Sequence, residues 1–417
     1  MSTFKQSGDG RAAPLTQGSI VRSIVSFALP MLLGQFLQQL YNMADAWVLG
    51  NFADNGAFAA VSSGGNLTFL IIGFFNGIAV GGGVVISRYY GAGDEENVAR
   101  AIHTTFLFGV IASVLSTAVG LLLVPQLLVA MNTPDTVLPY SLIYFRIYFG
   151  GVFTVILYNI CMAVMQSLGD SLHPLYYLMI SSVLNMGLDL RRLRLYPGLL
   201  PQILRQGLPT GVQNAVISVG NIVIQSNINS FGEFAMSGHG AYVKLEGLVF
   251  LPIMSMSMAL PTFISQNLGA RQYDRAKKGA VFGILSGVAV AELIGLLFLA
   301  AASPALGAFV DQPEAIRFGS IHARTVAPFF CMLAFTYCAG GVLRGCGRSF
   351  VPMITMLAFW CCVRVTYVTL AVRAFPVFQT ISWAYPLTWT LSSIVLLVFL
   401  LRSDWTHSFD RAAPHAA

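Results

Sequence analysis

Two halves of this chain repeat each other at a spacing of about 178 residues. Three short runs return with several residues kept: ISRYYGA at 86–92 as ISQNLGA at 264–270, GDSLHP at 169–174 as GRSFVP at 347–352, and Leu29-Pro30 as Leu208-Pro209. The third match is one residue out of step with the other two. Three matches at one spacing rarely arise by chance. The chain is therefore predicted to hold two parallel copies of one structural unit.

Both copies consist mainly of apolar runs that are long enough to cross a membrane. Hydrophobic residues make up 56% of the 417 residues and charged residues only 10%, and the mean hydropathy is +0.72. Soluble domains carry about 25% charged residues, so this chain has too few charges to keep its surface in water. The fold class is predicted to be an all-α polytopic membrane protein. Internal repeats in such a chain are typical of secondary transporters, in which two helical bundles rock about a shared site.

The apolar runs predict eleven membrane helices. We place them at 23–48, 57–88, 100–124, 137–167, 172–190, 201–230, 236–265, 276–301, 314–344, 350–372 and 380–402. Lysine and arginine concentrate at alternate helix ends, which predicts that both termini lie on the cytoplasmic side of a cell (inner) membrane. This orientation explains the net charge of +6, so the charge does not indicate nucleic-acid binding.

The alternation of basic loops breaks after the fifth predicted helix. An arginine-rich run at 191–194 follows Leu190 directly, where the helix count requires an outer loop. The second copy continues for about 50 residues after Pro352, whereas the first continues for only about 17 after Pro174. The first copy therefore lacks the sixth helix of a twelve-helix pattern. One crossing and a loop correspond to roughly 30–35 residues.

These boundaries divide the chain into five parts. They are a polar cytoplasmic N-terminus (1–19), an N-terminal lobe with five visible helices (20–190), a basic linker between the lobes (191–200), a C-terminal lobe of six helices (201–402) and a polar tail (403–417). No apolar segment precedes the first predicted helix, so a cleaved signal peptide is not expected.

Several of these runs resemble the multidrug and toxic compound extrusion (MATE) family, within the multidrug/oligosaccharidyl-lipid/polysaccharide flippase superfamily. They are Leu29-Pro30 followed by QQLYNMAD at 38–45, SRYYGAG at 87–93, SQNLGA at 265–270 and VLRGCG at 342–347. As an ordered set they cover about residues 18–402. The resemblance implies two six-helix lobes that form a V. It also implies antiport of drugs or organic cations, driven by Na⁺ or H⁺.

Asp45 is the first candidate for binding the coupling cation, because it lies among apolar and small residues near the outer end of the first predicted helix. The alternative is a carboxylate at headgroup level. Asn185 and Asp189 are four residues apart and share a helix face, and the resemblance implies that they act together with Asp45. Asn159 could add a neutral oxygen ligand. This set suits Na⁺ and H⁺ equally, although Asp189 could instead be a helix-terminal residue beside the arginines.

The C-terminal lobe offers one further candidate carboxylate. Lys244 and Glu246 lie early in the seventh apolar run, and residues two apart do not share a helix face. Glu246 could therefore be a second cation site or could bind a cationic substrate. The alternative is a structural pair with Arg324 or Arg364 on neighbouring helices.

Candidate substrate contacts are amide and thioether side chains. Gln35 and Gln38 share a face of the first helix, and Met254 and Met256 lie on the seventh apolar run. Flexible methionine adapts to ligands of varied shape. For the glutamines, hydrogen bonding between helices is the alternative.

The remaining ionisable residues inside apolar runs are expected to be structural. We expect pairing between helices or snorkelling to the interface for Arg146, Glu292, Arg317, Arg324 and Arg364. His103 and His322 are expected to be satisfied structural histidines.

The predicted mechanism is alternating access, in which cation binding at Asp45 favours one state of the transporter. The predicted partners are small lipophilic cations and membrane lipids, with no nucleic acid, and the chain is predicted to be a monomer. No cofactor is expected besides the coupling Na⁺ or H⁺, and no metal besides Na⁺ at Asp45 and Asp189. Flippase activity on lipid-linked saccharides and an inactive shortened form remain as alternatives. A membrane enzyme is disfavoured, because no zinc-protease, nucleophile-elbow or phosphate-loop motif is present.

Overall fold

The described part of the protein is helical throughout. We analysed a computed structural model of the chain, which describes residues 15–52, 73, 75–130, 138–174 and 195–410 and contains no strand within these ranges. Eight of the described helices are long and apolar enough to cross a membrane. The chain is a multi-pass membrane protein, as its composition predicted.

The helices follow the predicted order. They are α1 (Ile20–Phe52), α2 (75–91), α3 (Glu95–Ala130), α4 (Leu138–Ser167), α5 (Leu200–Asn229), α6 (Glu233–Gly269), α7 (Tyr273–Gly307), α8 (Pro313–Gly345), α9 (Phe350–Ala374) and α10 (Phe378–Arg402). Most of them extend a few residues beyond the predicted apolar runs, because their ends project past the hydrocarbon core. Most of the predicted helices at 57–88 and 172–190 lies outside the described residues.

Two helices contain a break in their regular geometry. A 3₁₀ turn, Ala327–Phe329, divides α8 into Pro313–Val326 and Phe330–Gly345. Proline at 328 lacks a backbone N–H and so removes one helical hydrogen bond there. In α9, a π-helical segment, Leu357–Val363, lies directly before Arg364. Such segments are frequent at functional sites.

The turns after repeat-related helices have the same left-handed backbone. Gly93 follows α2 with φ of 73°, and its counterpart Arg271 follows α6 with φ of 56°. Gly169 after α4 and Gly347 after α8 have φ of 90° and 80°. Glycine adopts this conformation at little cost. The two copies therefore share this turn geometry.

The first helix packs against the C-terminal copy. Ile24, Phe27 and Met31 of α1 lie in one buried cluster with residues of α6, α7 and α8. The hydroxyl of Ser255 on α6 donates a hydrogen bond of 2.6 Å to the carbonyl oxygen of Ala28. The N-terminal half of α1 is thus packed against helices of the second copy.

Glycines allow α2 to lie directly against α5. A Cβ atom added at Gly77 would overlap the backbone of Gly211, and one at Gly81 would overlap that of Gly207. The two glycines on each helix are four residues apart, so they form matching stripes of small residues. Such stripes let membrane helices approach closely, and here they join the two copies.

Large apolar side chains cover the outer faces of the helices. The exposed fraction is 69% for Leu122, 73% for Ile147 and 77% for Leu401. In a bilayer these side chains contact lipid, and the regular helices satisfy their own backbone hydrogen bonds.

Candidate functional site

A small cavity lies between the two copies, with a volume of about 60 Å³. Its walls come from α1, α4, the segment after α4, and α6. They consist of Pro30, Met31, Gly34, Gln35, Gln38, Tyr158, Met162, Gln166, Ser171, Pro174 and Met258. None of these side chains is charged, so the described wall offers amides, an aromatic ring and thioethers to a ligand.

Both predicted glutamines line this cavity. The Nε2 of Gln35 lies 3.1 Å from the Sδ of Met258 and so connects α1 with α6. Gln38 is more exposed and lies one turn further along α1. The amides therefore line the cavity, and Gln35 also makes a contact between helices, which was the alternative role. Substrate binding by these glutamines stays a prediction.

The α6 methionine that lines the cavity is neither of the two predicted from the sequence. Met256 packs against a buried cluster and approaches Gly287 of α7. Met258 lines the cavity instead, and Met254 is partly buried. Residues four apart share a helix face and residues two apart do not. Counting four residues, about one helical turn, from Met254 would have identified Met258.

Most of the side chains predicted to bind the coupling cation in the N-terminal copy lie outside the described part of the structure. Asp45 lies in α1, but the described side chains of that helix end at residue 40. Asn185 and Asp189 lie outside the described residues. Asn159 is on α4, where its Nδ2 donates a hydrogen bond of 2.9 Å to the carbonyl oxygen of Val155. Its neighbour in sequence, Tyr158, lines the cavity.

Glu246 is enclosed within the C-terminal copy. The hydroxyl of Tyr242, one turn earlier on α6, donates a hydrogen bond of 3.0 Å to its Oε1. No Lys, Arg or His nitrogen lies within 4.0 Å of its carboxylate among the described residues. Arg364 of α9 is close enough to interact with the carboxylate electrostatically. Glu246 therefore lies near a cation without a direct ion pair.

Arg364 is held by other contacts. It is 2% exposed, and its Nε and Nη2 both donate to the Oγ1 of Thr388 on α10, at 3.0 and 2.7 Å. Its guanidinium lies 4.9 Å from the ring centre of Trp360 and 4.7 Å from that of Tyr385. Cation–π contacts and hydrogen bonds to charged groups stabilise a buried guanidinium. The other partner considered for Glu246, Arg324, is exposed on α8.

Two buried histidines lie at the other end of this region. His322 of α8 places its Nδ1 2.8 Å from the Oγ of Ser382 on α10, but its Nε2 has no hydrogen-bond partner among the described residues. Only one of the two ring nitrogens of His322 therefore has a hydrogen-bond partner among the described residues. His239 on α6 was not singled out from the sequence. Its spacing of three residues to Tyr242 and seven to Glu246, which places all three on one helix face, could have identified it.

The ends of α2 and α6 meet where the repeated motifs lie. A Cβ atom at Gly91 would overlap the carbonyl oxygen of Gln266, and one at Gly269 would overlap that of Arg88. The Nε2 of Gln266 also donates a hydrogen bond of 2.9 Å to the carbonyl oxygen of Ser167, at the end of α4. Gln266 is fully buried. The two copies are therefore in direct contact at the end that carries the basic loops.

The chain before α1 adds to this contact. The guanidinium of Arg275 on α7 donates to the carbonyl oxygens of Leu15, Gln17 and Gly18. The backbone N–H of Leu15 donates to the Oε1 of Gln266 at 3.2 Å. The segment 15–18 is thereby bound to the C-terminal copy at the same end of the molecule.

Comparison with known proteins agrees with this architecture. The chain is 24% identical to the probable multidrug resistance protein YpnP of Bacillus subtilis over 84% of this chain and 88% of that protein. It superposes with a TM-score of 0.86 on a MOP superfamily transporter from Pyrococcus furiosus, at 18% identity, covering 97% of this chain and 100% of that one. An outward-facing multidrug resistance MATE family transporter gives the same TM-score, identity and coverage.

The alignment with YpnP spans 392 positions, whereas 84% of the 417 residues here is about 350. Roughly 40 aligned positions therefore have no counterpart in this chain. The absence of a sixth helix from the first copy stays a prediction.

The family model MatE matches the chain twice, at 30–190 and 209–368. The two matches begin at Pro30 and Pro209, the prolines that the repeat had paired. Together they cover more than half of the chain. The fold, the duplicated motifs and these matches lead to one conclusion: the chain belongs to the MatE family of multidrug and toxic compound extrusion transporters.

Proposed function

We propose that this protein exports small lipophilic compounds, often cations, in exchange for a coupling cation, and that it does so by alternating access. The observation that carries the proposal is the closed contact between the two copies at Gly91 and Gly269, with the uncharged cavity alongside α1. A contact built from repeat-related segments can close one side of a two-bundle transporter and must open in its other state.

The contact is of a kind that can open. It consists of close backbone packing and a few hydrogen bonds, such as that from Gln266 to Ser167. Each such bond contributes about 0.5–1.5 kcal/mol net, because water can replace the partner when the ends separate. Closure at the basic end supports assignment of this structure to an outward-facing state, with the basic loops in the cytoplasm.

The cavity wall favours a lipophilic cation over a pyrophosphate-linked saccharide. Tyr158 offers an aromatic ring, and Met162 and Met258 offer polarisable thioethers that adapt to varied shapes. A pyrophosphate would call for arginine or lysine partners, and the described wall has neither. The flippase alternative is therefore the weaker of the two.

Coupling requires a cation that binds the two states with different affinity. In the N-terminal copy we assign this role to Asp45, together with Asn159, Asn185 and Asp189. In the C-terminal copy Glu246 is the enclosed carboxylate. We propose that cation binding from outside favours the return to the inward-facing state or the release of substrate.

Transport by purified protein in liposomes tests the proposal. Liposomes containing the protein are loaded with ethidium, and a pH gradient or a Na⁺ gradient is imposed separately. Ethidium movement driven by one gradient, and lost in Asp45→Asn, is the expected result. Ethidium movement that is unchanged by either gradient would contradict the assignment. Full activity of well-folded Asp45→Asn protein would also contradict it.

A further inference from the structure

A column of polar side chains, two buried and one partly buried, runs along one face of α6. His239, Tyr242 and Glu246 are spaced three and four residues apart and therefore lie above one another on the helix. His239 is 5% exposed and Tyr242 is fully buried. Ionisable side chains are costly inside a membrane protein and are rarely kept without a role.

His322 on α8 completes this column. Its ring lies 4.8 Å from the ring centre of His239, edge to face at 83°. The ring of Tyr242 lies 4.5 Å from His322 as well, at 73°. The three rings are therefore in contact with one another, although they come from two different helices.

Each histidine leaves one ring nitrogen unpartnered. They are the Nδ1 of His239 and the Nε2 of His322, and neither has a hydrogen-bond partner among the described residues. A buried polar atom without a partner costs about 1–3 kcal/mol. The other ring nitrogen of His322, Nδ1, is oriented by the Ser382 hydroxyl at 2.8 Å. Two adjoining imidazoles thus offer nitrogen atoms that a proton can occupy.

The column ends at Glu246, and few other charged groups face it among the described residues. Tyr242 stands one turn from each end, and its hydroxyl already donates to the Oε1 of Glu246 at 3.0 Å. From α10, Tyr385 faces His322 at 5.2 Å between ring centres. From α9, Arg364 acts on Glu246 electrostatically. From α7, the apolar ring of Phe298 faces Tyr242, at 5.9 Å.

Resting on the proposed function, we propose that the His239–His322 pair is a proton-binding station of the C-terminal copy. In one state of the transporter a proton from water binds an unpartnered imidazole nitrogen and forms an imidazolium. In the other state the proton returns to water, and the imidazole ends neutral.

This assignment selects H⁺ as the coupling ion. Na⁺ is a hard cation that needs several oxygen ligands, whereas the station offers imidazole nitrogens. Around Glu246, the described polar neighbours are one phenol and a guanidinium, which supply only one oxygen atom besides the carboxylate. A proton needs only one lone pair, so it is the ion that these groups can accept.

The first test compares histidine variants in the ethidium liposome assay. His239→Gln and His322→Gln keep hydrogen-bonding groups but do not titrate near neutral pH. We expect each to lower the rate driven by a pH gradient about tenfold or more, with ethidium affinity unchanged in the absence of a gradient. His407→Gln is the matched control, because His407 is exposed beyond α10 and contacts Asp404. Full pH-driven transport in the double histidine variant would overturn the proposal.

A second test does not depend on transport. The chain has six histidines, so ring ¹⁵N labelling of the whole protein gives a spectrum that single variants can assign. We expect the His239 and His322 nitrogens to take up a proton within the pH range over which transport operates, and we expect His239→Gln to change the titration of His322. Rings that stay neutral across that range would overturn the proposal.

The two tests separate this inference from the proposed function. Ethidium transport driven by a Na⁺ gradient alone would contradict proton binding by the histidine pair but would agree with the proposed antiport. No transport under either gradient would contradict the proposed function, while the ¹⁵N titration would still decide whether the pair binds a proton.

Discussion

Gly91 and Gly269 occupy the same position in the two copies of the repeat, and each lies against the backbone of the other copy. Gly91 abuts the carbonyl oxygen of Gln266, and Gly269 abuts that of Arg88. Each carbonyl belongs to the residue three positions before the opposing glycine. The contact is therefore reciprocal, as a two-fold relation between the copies requires. Its symmetry indicates that the duplicated motifs serve to bring the two copies together.

We expect Gly91→Ala to destabilise this closed contact. The new Cβ would overlap the Gln266 carbonyl oxygen, so backbone must move, at about 1–3 kcal/mol. Gradient-driven ethidium transport should fall, and the buried Gln266 region should become accessible to hydrogen exchange. Gly240→Ala on α6 is the matched control, since no atom lies within 4 Å of its Cβ position. Equal behaviour of the two variants would contradict the role of Gly91.

Glu246→Gln should uncouple the transporter while leaving it folded. Glutamine keeps a group that accepts the Tyr242 hydrogen bond, but it cannot bind a cation as a carboxylate does. We expect loss of transport driven by the coupling gradient, with ethidium binding retained. Glu233→Gln, at the exposed start of the same helix, should transport normally. A Glu246→Gln protein with full gradient-driven activity would exclude this carboxylate from coupling.

Arg364→Lys should destabilise the C-terminal copy, although the charge is kept. Lysine cannot reproduce the paired donation to Thr388 or the stacking on Trp360 and Tyr385. The loss of hydrogen bonds to a buried charged group costs about 1.5–3 kcal/mol. Thermal unfolding in detergent measures the change. Arg373→Lys, on an exposed position of the same helix, should have little effect, and an equally small effect at Arg364 would contradict this packing.

Arg275→Gln should free the segment that precedes α1. The guanidinium of Arg275 holds three carbonyl oxygens of residues 15–18, and glutamine can replace only part of this contact. We expect faster cleavage of the segment by protease. Lys277→Gln is exposed on the same helix and should be cleaved at the wild-type rate. Protection that is unchanged in Arg275→Gln would show that other contacts hold the segment.

Much of the fold could be predicted from local pattern. The helix predicted at 201–230 is observed as Leu200–Asn229, and that at 314–344 as Pro313–Gly345. Apolar length and the glycine turns determine these bounds, and both are local properties. The repeat likewise predicted two copies of one unit. The structure adds that the turns after repeat-related helices share a left-handed residue, with Arg271 in place of the Gly93 of the first copy.

The polar contacts were harder to predict, because they join residues that are distant in sequence. His239 meets His322 across 83 positions. For Glu246 the sequence offered Arg324 and Arg364 alike, and only the structure shows that Arg364 is the one close enough to act on it. The residue pattern of one helix does not indicate which neighbouring helix each of its faces contacts. Asp45, Asn185 and Asp189 remain sequence predictions, since their side chains lie outside the described part of the chain.

The central claim is that the two copies separate and rejoin at the Gly91–Gly269 contact during transport. Spin labels at the exposed, repeat-related positions Ala99 and Lys277, in a chain whose six cysteines are replaced, would report the distance between the copies at this end. The account predicts one short distance at rest and a second, longer population when substrate or the coupling cation is added. A single unchanged distance under every condition, from protein that still transports ethidium, would contradict it.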